Sequence, residues 1–143
     1  MRKGVPTEGL DFFKLLYQDD TFCMELGKAV LAAGRLESEL IKYLNNKSVE
    51  GKAKKASLGK LIFYAKKHNL LEAMVPALET ICQQRNYFAH NLHALFSGLV
   101  EESILQKSNL LDSDVDTFTE YAFLLKENIN GLADIVAKEN KNT

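Results

Sequence analysis

The chain has 143 residues, of which 46% are hydrophobic and 26% are charged, and its formal net charge is -1. This length suits one domain with a buried core, and the charge balance excludes a general electrostatic attraction to nucleic acid or anionic lipid. No apolar run is as long as a membrane span or follows Met1-Arg2-Lys3 as a signal peptide would, so we expect a cytoplasmic protein with no membrane partner.

Apolar residues recur at helical three-and-four spacing in several segments, which predicts an all-α domain over residues 1–143. A short helix near 10–17 precedes a long helix from about Thr21 to Leu44. The apolar stripe predicted for this long helix is Leu26, Val30, Ala33, Leu36, Leu40 and Leu44. Ser57 is the expected N-cap of the next helix, which ends near His68, with Asn69 in the left-handed conformation.

A third helix is expected to begin near Met74, with Pro76 in its first turn, and to end near His90 or Asn91. Residues 92–111 contain amino acids that favour β-strands around Ser97-Gly98, and this composition predicts a small hairpin or an irregular insertion. The last helix is expected to open with a capping box. That box pairs Ser113 with Asp116, and the apolar stripe behind it is Val115, Phe118, Ala122, Leu125, Ile129, Leu132 and Val136. Four main helices over about residues 21–138 favour a four-helix bundle.

The run Gln84-Arg85-Asn86-Tyr87-Phe88-Ala89-His90-Asn91 places an arginine and a histidine five residues apart on the third predicted helix. Arginine is always charged and can donate two parallel hydrogen bonds to a phosphate, and histidine exchanges protons near neutral pH. These groups suit RNA cleavage without a metal, in which the histidine deprotonates the 2′-hydroxyl and the arginine stabilises the phosphoryl charge. The expected products are a 2′,3′-cyclic phosphate and a 5′-hydroxyl.

The spacing sets the relative direction of these side chains. Five residues correspond to about 140° around an ideal helix, so Arg85 and His90 do not stack, and they converge only if the helix end frays or tightens. Asn86 is four residues before His90, which predicts a hydrogen bond that fixes the imidazole tautomer.

The string from Arg85 to His90 resembles the R-x4-6-H signature of the HEPN superfamily of helical nucleotide-binding domains. The order of helices is similar over about residues 21–138, including a Leu36-Glu37-x-x-Leu40 segment and a helix start at Ser57-Leu58-Gly59-Lys60-Leu61. The resemblance implies a HEPN-type bundle that acts as a homodimeric, metal-independent endoribonuclease with no cofactor. It also implies a toxin–antitoxin or phage-defence role with RNA as substrate and a cognate antitoxin or regulator as partner.

The same resemblance assigns roles to residues. Arg85 would clamp phosphate, His90 would be the base or a second phosphate ligand, and Asn86 would orient, with both chains contributing to one composite site. Leu92 stands where one toxin branch has a tyrosine, so modification of that tyrosine is not expected here. The acidic residue that some members place upstream has two candidates, Glu37 and Glu79.

Lysines are concentrated before and within the second predicted main helix. Lys52, Lys54 and Lys55 in the polar loop 45–56 are candidate contacts to RNA phosphates. The alternative is an ordinary solvated surface.

Two other interpretations stay open, and a third is not favoured. The first is a non-catalytic HEPN-like module that binds nucleotides or protein in the same cleft, and the second is a helical interaction protein whose motif is coincidental. A third, a metal site at His90 and His93, lacks a nearby carboxylate or cysteine, so no metal is predicted. Cys23 and Cys82 have no metal-ligand spacing and are expected to be reduced and buried.

Overall fold

The computed structural model describes residues 3–7, 9–49, 56–97 and 110–142, with residues 93–97 described by their backbone alone. The elements in chain order are β1 (Pro6–Thr7), α1 (Gly9–Gln18), α2 (Asp20–Asn46), α3 (Leu58–Lys67), α4 (Val75–Ser97), β2 (Leu110–Leu111) and α5 (Asp114–Lys141). The predicted all-α class is confirmed. Across the described ranges, no helix combines the length and the apolar character needed to cross a bilayer.

The two longest helices, α2 and α5, form the main packing surface of the fold. Lys126 Nζ lies 2.7 Å from Glu25 Oε1, and Arg35 Nη2 lies 2.7 Å from Asp134 Oδ1. The contact residue nearer the C-terminus of α2 meets the contact residue nearer the C-terminus of α5, so the two helices run parallel. About a hundred residues separate the partners in sequence. The stripe expected for the last helix is buried at all its positions except the partly buried Leu132, which confirms this part of the prediction.

Two hydrophobic clusters fill the interior, and different short helices close them. The first joins the C-terminal half of α2, the N-terminal part of α4 and the C-terminal half of α5, and α3 covers it with Leu58, Leu61, Ile62 and Ala65. The second joins the opposite ends of α2, α4 and α5, and α1 covers it with Phe12 and Leu16. The helices α2, α4 and α5 therefore form the shared frame, and α1 and α3 each cover one part of it.

Several predicted helix boundaries agree with the structure. Ser57 caps α3, because its side chain accepts a hydrogen bond from the backbone N–H of Lys60. Asn69 has a φ of 56°, the left-handed conformation expected after the helix end. Pro76 lies in the first turn of α4.

The region after the motif differs from the prediction. The third main helix does not end near His90 or Asn91, because α4 continues to Ser97. The strand Leu110–Leu111 pairs antiparallel with Pro6–Thr7. The described strand of the expected hairpin therefore pairs with the N-terminal segment. The remainder of the predicted insertion, residues 98–109, lies outside the described residues.

Three local predictions were wrong. Ser113 makes no capping hydrogen bond and has helical backbone angles, so the expected capping box with Asp116 does not form. Val30 is 65% exposed, because Ala29 and Ala32 are the residues buried beside the correctly predicted Ala33. Both cysteines are free as expected, but neither is buried: Cys23 is exposed and Cys82 is partly buried.

Replacing Phe118 with alanine should destabilise the fold by about 3–5 kcal/mol, because it empties the centre of the second cluster. The Phe118 ring meets Phe12 edge-on at 5.5 Å and Phe88 at 5.9 Å between ring centroids. Urea denaturation measures the change. Phe63→Ala, on an exposed face of α3, is the matched control and should change stability by about 0.5 kcal/mol or less. Equal losses in both variants would contradict this assignment of the core.

Candidate functional site

The arginine–histidine motif lies in the middle of an unbroken helix. Because α4 extends seven residues beyond His90, the helix end neither frays nor tightens at the motif. Regular helical geometry therefore keeps Arg85 and His90 about 140° apart around the helix and about 7.5 Å apart along its axis. One chain alone does not bring the two side chains together.

Arg85 points towards α2, where it meets an acidic side chain. Its Nη1 lies 3.7 Å from Glu37 Oε2, and the two side chains are 34% and 31% exposed. A pair this accessible to water contributes at most about 1 kcal/mol to stability, but it holds the guanidinium in a defined direction. Sequence spacing left two acidic candidates open, and the structure separates them. Glu37 reaches Arg85, whereas Glu79 pairs with Lys66 at 3.3 Å.

Asn86 is bound to neighbours other than the expected histidine. Its Oδ1 accepts a hydrogen bond from Arg85 Nη2 at 3.4 Å, and its Nδ2 donates to Cys82 Sγ at 3.8 Å. The predicted hydrogen bond from Asn86 to His90 is not present. In this arrangement Asn86 orients Arg85 rather than the imidazole.

His90 is exposed on α4, and within the described ranges no side chain hydrogen-bonds its ring. The imidazole is therefore accessible to a second molecule. Arg85 and His90 thus have different surroundings within one chain, the former beside a carboxylate and the latter in solvent. Whether two copies of the motif line one groove stays a prediction.

The start of α3 lies beside the motif, a placement that sequence reasoning did not identify. A Cβ atom added to Gly59 would lie 3.7 Å from Cys82 Sγ, and Cys82 is the hydrogen-bond partner of Asn86. The first turn of α3 therefore lies against α4 about one turn before the motif, at a distance that would also accommodate a Cβ atom. The predicted phosphate contacts Lys52, Lys54 and Lys55 lie outside the described residues.

A separate cavity of about 290 Å³ lies between α4 and α5. Tyr87 and Asn91 line it, but Arg85 and His90 do not, so it opens on another face of the motif helix. Asn91 is buried, and its Nδ2 donates to the carbonyl oxygen of Tyr87 at 2.6 Å. Over the parts of the chain with described side chains, no three His, Cys, Asp or Glu residues are grouped to hold a metal.

Comparison with known proteins gives no match: no family model fits the chain, and neither a curated protein nor a solved structure is significantly similar to it. The resemblance to the HEPN superfamily therefore depends on the motif and the order of helices alone.

The geometry makes Arg85 a potential anion ligand that Glu37 partly neutralises. Glu37→Gln should strengthen the binding of inorganic phosphate at Arg85 by up to about fivefold at low salt, because it removes the competing charge of an exposed pair. NMR of the Arg85 Nε–Hε signal during a phosphate titration measures this.

Glu79→Gln is the matched control for that titration, since it breaks a comparable exposed pair with Lys66 one to two turns earlier on α4. This control should leave phosphate binding at Arg85 unchanged. Equal effects of the two variants would show that net charge, rather than the contact with Glu37, controls the site.

Proposed function

We propose that this protein is a metal-independent endoribonuclease that acts as a homodimer of HEPN-type helical bundles, and that it is a toxin–antitoxin or phage-defence effector. One observation carries the proposal. Arg85 and His90 both reach solvent on an unbroken helix, yet they are about 140° apart, so a site that uses both requires a second copy of the chain.

The chemistry uses one guanidinium and one imidazole. His90 of one copy takes the proton from the ribose 2′-hydroxyl as that oxygen attacks the adjacent phosphorus. Arg85 of the other copy exchanges its contact with Glu37 for two hydrogen bonds to the phosphoryl oxygens, where negative charge develops. The bond from phosphorus to the 5′-oxygen breaks, and the leaving oxygen takes a proton from water. The products are a 2′,3′-cyclic phosphate and a 5′-hydroxyl.

The surroundings of Arg85 support this assignment of roles. Glu37 and Asn86 hold the guanidinium from two sides before substrate arrives, so little side-chain entropy remains to be lost on binding. Among the described residues of its own chain His90 has no comparable support, which is consistent with an orienting group on the second copy. In this proposal Lys52, Lys54 and Lys55 contact neighbouring phosphates, and a cognate antitoxin or regulator controls the dimer.

Arg85→Ala and His90→Ala should each slow cleavage of RNA by about a hundredfold or more, with an unchanged dimer in solution. Gel assays in EDTA with end analysis for cyclic phosphate measure this. Lys66→Ala is the control for loss of one exposed cation on a nearby helix, and it should cleave normally. If Arg85→Ala and His90→Ala cut RNA as the parent does, the proposal fails.

The composite nature of the site has its own test. A mixture of the Arg85→Ala and His90→Ala proteins should regain part of the parent activity after subunit exchange, because a mixed dimer still holds one guanidinium and one imidazole at the same site. Each variant alone should stay inactive. A mixture as inactive as its components would contradict a site shared between two chains.

A second candidate is a non-catalytic HEPN-like module that binds nucleotides or protein. The ion pair between Arg85 and Glu37 favours it, because a neighbouring carboxylate weakens the attraction of the guanidinium for phosphate. Incubation of a mixed RNA pool with the parent protein in EDTA distinguishes the two. An intact pool, together with phosphate-dependent binding at Arg85, would assign the protein to this second class.

A further inference from the structure

The inner wall of the cavity between α4 and α5 consists of aromatic rings that pack against one another. Phe88 and Phe118 both line it, and their ring centroids lie 5.9 Å apart at an interplanar angle of 62°. Phe22 stacks on Phe88 from the protein interior with centroids 6.3 Å apart. Rings that pack on several sides keep their positions, so the cavity has a defined shape before anything binds.

Two tyrosines form the rim of this cavity. Tyr87 on α4 is 42% exposed and Tyr121 on α5 is 37% exposed, and both line the opening. Their rings offer faces on which a flat molecule can stack. Base–aromatic stacking of this kind contributes about 1–3 kcal/mol per base.

The polar groups at the cavity are neutral. Carboxamides of Gln84, Asn91 and Asn128 line it, and among the described side chains no charged residue does. Each carboxamide presents both a hydrogen-bond donor and an acceptor. Within the described lining a phosphate or carboxylate finds no cation, and the exposed amides of Gln84 and Asn128 offer hydrogen bonds to a bound molecule. Leu124 and Leu125 complete the lining, so the cavity suits a neutral, flat molecule with donors and acceptors on its edge.

We propose that this cavity binds a nucleobase. Its volume of about 290 Å³ is at the lower end of the range for small-molecule sites, which suits one base rather than a larger cofactor. The base stacks against Tyr87 and Tyr121, and its edge meets the amides of Gln84 and Asn128. The sugar and any phosphate stay outside, since no cation lines the cavity.

This site is independent of the proposed ribonuclease activity, because Arg85 and His90 do not line the cavity. The base has two sources with the same chemistry, a free nucleoside and a single-stranded nucleic acid. Unphosphorylated adenosine and a hexamer of deoxyadenylate separate them, since neither has a 2′-hydroxyl next to a phosphodiester that the protein could cut.

NMR titration of the parent protein with adenosine should shift the side-chain amide signals of Gln84 and Asn128. Tyr121→Ala should weaken adenosine binding by about fivefold or more, which corresponds to loss of one stacking face. Asn128→Asp, at an exposed position where folding is not at risk, should weaken it as well, because it replaces a donor with a charge. Tyr17→Ala, at an exposed tyrosine of α1 away from the cavity, and Arg85→Ala should bind adenosine as the parent does.

The hexamer identifies the source. Binding at least tenfold tighter than adenosine assigns the cavity to single-stranded nucleic acid, and equal binding assigns it to a free nucleoside. The proposal is overturned if adenosine shifts neither amide, if toluene shifts both amides with equal affinity, or if a second copy of the chain already covers Tyr87 and Tyr121 in solution. Cleavage by the parent protein without adenosine binding would overturn this site and leave the proposed function intact.

Discussion

The parallel packing of α2 on α5 is the interaction on which the rest of the fold depends. The contacts of Glu25 with Lys126 and of Arg35 with Asp134 mark the register of these helices, and both helices contribute buried side chains to each of the two hydrophobic clusters. The helix α4 is placed by both clusters, through Leu78 and Ile81 at one end and Phe88 at the other. Arg85 lies between these anchored parts, and this position explains why it meets α2 instead of extending freely into water.

The electrostatics of the motif follow from that placement. Arg85 has a carboxylate on one side and a carboxamide on the other, so its charge is directed and partly compensated. His90 has neither constraint, although it is on the same helix and only five residues away. A helix fixes directions as well as distances, and it gives two residues at this spacing different surroundings. A third face of α4 carries Tyr87. This face is aromatic and uncharged, and it lines the cavity between α4 and α5.

Helical periodicity predicted most of the fold, because buried stripes at three-and-four spacing leave a strong pattern in Leu58 to Ala65 and in Val115 to Val136. It failed where tertiary contacts decide the outcome. Val30 fits the apolar spacing of α2, but none of the described helices buries it, and it is 65% exposed. The motif residues themselves were visible in the sequence, whereas the contact of Arg85 with Glu37 was not. That contact depends on the relative placement of two helices that are far apart in the chain, which spacing within a single helix does not encode.

The parallel pairing of α2 and α5 also sets the order in which the protein is completed during translation. Lys126, the partner of Glu25, is added about a hundred residues later, and this corresponds to roughly 5–20 s of synthesis. Until then the face of α2 that packs against α5 lacks that helix, and nascent α4 lacks the helix that closes its cavity. In a chain of this topology the central helix pair is therefore completed only after α1, α3 and α4 have all been synthesised.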